Sequence, residues 1–193
     1  FGTACLSRSA GTAEKIGVAD LSGCHFVFEN AGDVILQKTT PIGPEEDAMS
    51  LTIRLAELGA EALAETVTAL GNGTAARTPQ DGGKMTYASM LSREMSPIDW
   101  TRSAHAVSCQ VRGLIPWPSA TAELNGVKCK IFATAVLDEA TGKAPGSVLA
   151  ADKKGLKIAC GEGTVLRIDT LQAAGGKRMA AADYLRGHPI PVD

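Results

Sequence analysis

Aromatic side chains are scarce in this sequence of 193 residues, which holds four Phe, two Tyr and two Trp. With so few flat faces, a platform on which nucleobases stack is not expected. Long hydrophobic runs are also missing. The unbroken apolar stretches are a handful of residues long, well short of the roughly 20 that a membrane-spanning helix needs. No charged-then-apolar leader opens the chain, so no secretory signal is expected. The cysteines are Cys5, Cys24, Cys109, Cys129 and Cys160, odd in number and widely spaced. No C-x-x-C pair and no Cys/His cluster at zinc-ligand spacing occurs, so neither a metal site nor a disulfide framework is expected. A reducing, cytoplasmic setting fits that usage. Cys129 and Cys160 stand in alternating apolar patterns, where a thiol behaves as a small core residue. The histidines (His25, His105 and His188) are scattered, and none has a Ser/Asp or Cys partner that sequence alone can credit.

What is present suffices for a core: 45% of residues are hydrophobic and 21% charged. That balance offsets chain entropy and excludes a disordered chain. The net charge of −2 conceals an asymmetry. Residues 1–83 carry five Lys or Arg against eleven Asp or Glu; residues 84–193 carry fourteen against ten. The second part is therefore the one suited to a polyanion.

Residues 1–31 show no sustained period, apart from a candidate strand at Cys24-His25-Phe26-Val27-Phe28. Val34-Ile35-Leu36 reads as a buried strand. From 46 to 71, Leu51, Leu55, Leu58, Ala62, Leu63, Val67 and Leu70 recur at helical spacing, with Asp47 or Ser50 as cap, Glu45 and Glu46 at the positive end of the dipole, and Gly59 as a possible break. Gly71-Asn72-Gly73 ends it. Residues 72–97, rich in Gly and Pro, read as a linker. A second helix is expected over 98–115, with Ile98, Trp100, Ala104, Val107, Val111 and Leu114 inward and Asp99 or Thr101 as cap. Trp100 is its packing anchor, and Trp117 between two prolines is a structural corner. Short strands follow: 121–124, an Asn125-Gly126 turn, 127–132, 145–150, 155–160 and 164–171. Both residues of an Asn-Gly hairpin turn take positive φ, which makes that pair a strong signal. The spacing points to a small barrel or sandwich, closed by a helix at 180–186.

These residues carry a resemblance. Leu55-Ala56-Glu57-Leu58-Gly59, Thr86-Tyr87-Ala88, Ile98-Asp99-Trp100, Val111-Arg112-Gly113 and Pro116-Trp117-Pro118 occur in order. Pro145-Gly146 and Gly161-Glu162-Gly163 follow, then Leu171-Gln172, Gly175-Gly176-Lys177-Arg178-Met179 and Asp183-Tyr184-Leu185-Arg186-Gly187. From Asp33 to Gly187 the chain resembles the C-terminal half of methionyl-tRNA formyltransferases, and its tail and linker phrases favour that branch over relatives acting on sugars or free folate. The resemblance implies transfer of a formyl group from 10-formyltetrahydrofolate to initiator methionyl-tRNA in translation initiation. It implies an α+β chain: the incomplete end of a Rossmann-like α/β catalytic domain at 1–72, a linker at 73–97, an OB-fold-like β-barrel at 98–187 that holds tRNA, and a tail at 188–193.

The departures from the family pattern concern catalysis. The family's Ser-Leu-Leu-Pro phrase, with the Asn and His ahead of it, does not occur. In Phe28-Glu29-Asn30-Ala31-Gly32-Asp33, Asn30 stands where the family has its catalytic Asp. An amide cannot accept the proton that an ionised Asp accepts. No catalytic residue is carried over, no cofactor is expected to bind this chain alone, and no formyl transfer is expected of it. Phe1 in place of Met and the poor match of 1–31 fit a truncated chain or a broken upstream reading frame. The candidate RNA contacts are Arg93, Arg112, Lys128, Lys130, Lys153, Lys154, Lys157, Lys177 and Arg178, binding phosphates rather than bases. The partner expected is initiator methionyl-tRNA, bound by a monomer, with no membrane and no DNA. A stand-alone OB-like RNA-binding module and a non-functional remnant stay open beside this reading.

Overall fold

The structure, a computed structural model, describes the backbone of residues 2–9 and 12–19 and the whole of residues 33–80 and 90–193. The expected strand at 24–28, Asn30 and the Thr86-Tyr87-Ala88 phrase lie outside the described residues. Two compact units are present, Phe1–Met90 and Leu91–Asp193. Both mix helix with antiparallel sheet, an α+β composition.

In the first unit, β1 (Gly2–Ser9), β2 (Thr12–Ala19) and β3 (Asp33–Thr40) form a sheet of order β2-β1-β3. Every pairing in it is antiparallel, so these strands contain no parallel βαβ unit of the Rossmann kind. β3 contains the expected Val34-Ile35-Leu36, and Val34 also exchanges backbone hydrogen bonds with Thr78 at 2.8 and 2.9 Å.

Helix α1 (Ala48–Gly71) starts where Asp47 accepts from the Ser50 amide at 2.8 Å, which satisfies an amide with no intrahelical partner. Glu46 receives the Arg54 guanidinium and the Gly43 amide, and Arg54 also reaches Thr40 and the Pro41 carbonyl, tying the helix start to the end of β3. Gly59 does not break α1. It lies in the buried stripe Leu51, Leu55, Gly59, Ala62, Thr66. The stripe leaves Val67 exposed, contrary to the expected face. Thr66 is tolerated inside because its hydroxyl donates to the Ala62 carbonyl at 2.7 Å.

The second unit opens with a 3₁₀ turn at Arg93–Met95, and then Ser96 and Ile98 bond to Thr121. The expected helix over 98–115 is shorter: α2 spans Ala104–Gly113, capped by Ser103. Asp99 instead folds its carboxylate onto the amide and hydroxyl of Thr101, and holds a turn. Ile98 and Trp100 still pack on the core, but from a loop, and the Trp100 ring covers Gly146. Trp117 sits between the cis-prolines Pro116 and Pro118 and is half exposed.

β4 (Ala120–Leu124), β5 (Val127–Ala140), β6 (Val148–Asp152), β7 (Gly155–Ala159), β8 (Thr164–Ala173) and the two-residue β9 (Met179–Ala180) follow, then α3 (Ala181–Gly187). The sheet order is β4-β5-β8-β7-β6, with β9 pairing β8, and all ladders are antiparallel. Asn125 (φ 47°) and Gly126 (φ 76°) make the expected tight turn. β5 runs eight residues past the expected 127–132, curved by register shifts at Ile131/Ala133, Ala133/Thr134 and Leu137/Ala140. β6 begins later than expected because Pro145-Gly146 turns the chain, with Gly146 at φ 91°.

The core is one sheet face (Cys129, Ile131, Leu156, Ile158, Ile168, Leu171) covered by Val111 of α2, Leu114 just past its end, and Tyr184 of α3. Gly161 fits between strand and loop only because it has no side chain: a Cβ there would lie 1.7 Å from the Thr101 carbonyl oxygen. Residues 188–193 return to the sheet, with Asp193 and Val148 bonded twice.

Candidate nucleic-acid interface

Burial and ion pairing sort the cations of the second unit. Three are neutralised. Lys157 donates to both Glu139 oxygens at 2.7 and 2.8 Å, Arg167 to Asp169 at 2.5 Å, and Arg186 pairs with Asp183. Lys157 and Arg167 face each other across β7 and β8, so each acid offsets a like-charge contact as well as its own partner. Lys157 is therefore a candidate contact whose charge is already taken.

Arg93, Lys128, Lys130, Lys153, Lys154, Lys177 and Arg178 are exposed and, among the described residues, carry no ion pair. The sheet register brings six of them to one end. Cys129 pairs with Ala173, which sets Lys128 and Lys130 beside the C-terminal end of β8. β7 runs antiparallel to β8 with Leu156 opposite Ile168, so the Lys153-Lys154 tip of the β6–β7 hairpin points to that same end. β9 pairs with Thr170 and Leu171, which places Lys177 and Arg178 there too. The Lys154 amide donates to Asp152 at 2.7 Å and shapes the hairpin tip.

Lys128 and Lys130 share one pleat face, and Cys129 and Ile131 share the buried one, as the alternation predicts. Glu123 stands opposite Lys128, while Lys130 is flanked by Thr121 and Gln172. Arg93 lies apart, in the 3₁₀ turn that precedes the pairing of Ser96 and Ile98 with Thr121. Arg112 also lies apart, at the end of α2: its guanidinium donates to the Ser108 hydroxyl at 2.7 Å and reaches the Cys109 thiol at 3.4 Å. Those partners hold the head in place without cancelling its charge.

Three contacts were not read from the sequence. The Arg178 guanidinium carbon lies 4.4 Å above the Phe132 ring centre. His105 lies 3.8 Å from the Cys109 sulfur, a pairing that their i, i+4 spacing on a helix would have signalled. His188 stacks on Tyr184 with ring centres 4.4 Å apart. Cys129 and Cys160 are core residues, as expected: burial pushes the Cys129 thiol up and Cys160 up to about 11. Among the described residues no group of three or more His, Cys, Asp or Glu is placed to hold a metal ion, and no helix is long and apolar enough to cross a membrane.

Residues 90–189 match the family model described as formyl transferase, C-terminal domain. The chain is 41% identical over 163 residues to a methionyl-tRNA formyltransferase of Trichlorobacter lovleyi, covering 84% of this chain and 51% of that protein. It is 40% identical over 158 residues to the methionyl-tRNA formyltransferase of Enterococcus faecalis, covering 82% and 50%. It thus spans about half the length of the curated relatives it matches. The crystal structure of HypX from Aquifex aeolicus in complex with tetrahydrofolic acid shares the fold, with a TM-score of 0.59 and 19% identity over 93% of this chain and 31% of that one.

Proposed function

This chain belongs to the formyl transferase family through its C-terminal domain, and from that premise we propose that residues 91–193 are the OB-like, tRNA-holding part of a cytoplasmic methionyl-tRNA formyltransferase. The observation that carries the reading is the gathering of un-neutralised cations at one end of the sheet, while Lys157, Arg167 and Arg186 are paired off. Free ammonium and guanidinium groups on β5 and on the connections at the same end of the sheet meet phosphates without first breaking internal ion pairs. The partner is initiator methionyl-tRNA, bound by a monomer.

Catalysis by these 193 residues alone is not expected, because Asn30 offers an amide at the proton-accepting position. No step is assigned to 10-formyltetrahydrofolate in this chain. A stand-alone RNA-binding module is the second reading, favoured by the second unit having its own core.

Filter binding tests the proposal. The chain should retain tRNA at low salt and lose affinity linearly in log salt, with the slope falling by about one for each phosphate-contacting lysine removed at Lys128 or Lys130. No retention at low salt would refute it. Met-tRNA incubated with 10-formyltetrahydrofolate and this chain should stay unformylated; turnover above background would overturn the reading of Asn30.

A further inference from the structure

We propose that Arg178, laid over Phe132, forms a stacking site for an unpaired nucleobase of the bound RNA, with Lys128 and Lys130 taking the adjoining phosphates. The inference rests on the RNA-binding reading above and adds what part of the RNA is recognised. At 4.4 Å from the ring centre, the guanidinium is in range of a cation–π contact. The guanidinium sits over the ring, and Arg178 itself is exposed to solvent. Among the described residues no hydrogen bond or ion pair turns it away. A guanidinium plane stacks on nucleobases much as an aromatic ring does.

The support beneath the stack is built. Phe132 lies on β5 two residues past Lys130, at the register shift between Ile131 and Ala133. Gln172, opposite Lys130, donates to the Gly176 carbonyl at 2.8 Å, and Gly176 in turn donates to Ala173 at 2.9 Å. Gly175 turns with φ 73°, and Met179 rejoins the ladder opposite Leu171. Arg178 is thus carried on a loop anchored on both sides, so little mobility is lost when a base docks. Such a site accepts any base, because every base has a π face, but only one that is unpaired.

The full chain is titrated with a single-stranded RNA carrying one 2-aminopurine among uridines, whose emission falls on stacking. Wild type should bind and quench it. Arg178→Lys keeps the charge without the plane and should lose the quench and bind at least about five-fold more weakly. Phe132→Leu should do the same with an unchanged salt slope, since no phosphate contact is lost. Wild type that binds without quenching, or an Arg178→Lys chain that quenches as wild type does, overturns the proposal and leaves backbone binding standing. Failure to bind tRNA and oligonucleotide at low salt overturns both readings. Arg178 is exposed, so its variant decides the matter even if Phe132→Leu is destabilised.

Discussion

Single residues decide more here than their number suggests. Glu46 is the clearest: the Arg54 guanidinium beside it, and then the Gly43 amide, hold its carboxyl below the usual carboxylate range. A group with a lowered folded pKa adds stability that is full above its unfolded pKa and is lost as pH falls through the folded one. Glu46→Gln should therefore lower the urea midpoint of the first unit at neutral pH, and the gap to wild type should shrink as both are titrated below the carboxylate range. A gap that stays constant with pH would mean the side chain acts through packing. Little of this was readable beforehand. Glu46 was visible as an acid near a helix start, but its partner lies eight residues on, at a spacing no short motif encodes. Arg178 and Phe132 are farther apart still, joined only by the fold. Lys128 and Lys130, by contrast, could be assigned to one face from sequence, because the pleat period acts over neighbouring residues.

The secondary-structure elements show where periodicity is a sufficient guide. The stripe of α1 and the Asn125-Gly126 turn were readable because large apolar residues and turn chemistry give high contrast. β1 and β2 were not: they are built largely of Gly, Ala, Ser and Thr, so the alternation that marks a strand is faint. The start of α2 was misplaced for the opposite reason. Trp100 continues the helical spacing of Ala104, Val107 and Val111, yet it and Ile98 reach the core from a loop, and Ser103 caps the true start. β8 is the element on which the second unit depends, bonded to β5 on one side and to β7 and β9 on the other. Its Ile168 is fully buried. Ile168→Ala should cost about 2–5 kcal/mol in a denaturant titration, and the amides of β8 should be among the slowest to exchange in wild type. A cost under about 1 kcal/mol would show that the neighbours close over the cavity.

For the molecule as a whole, the division at Met90 and Leu91 has a direct consequence. Every strand pairing of β4 to β9 and the core beneath them is drawn from residues 91–193. That piece, made alone, should unfold in one cooperative transition with coincident far-UV and near-UV signals; two separated transitions would show that it needs the first unit. The charge asymmetry was readable as a count, but which cations are free depends on long-range pairings such as Lys157 with Glu139. Both tryptophans, Trp100 and Trp117, belong to the second unit. Selective tryptophan emission is therefore blind to residues 1–90. Trp117 is half exposed already, whereas Trp100 packs on both core clusters. The red shift on unfolding thus belongs to Trp100, and this indole is a built-in optical reporter of the second unit alone.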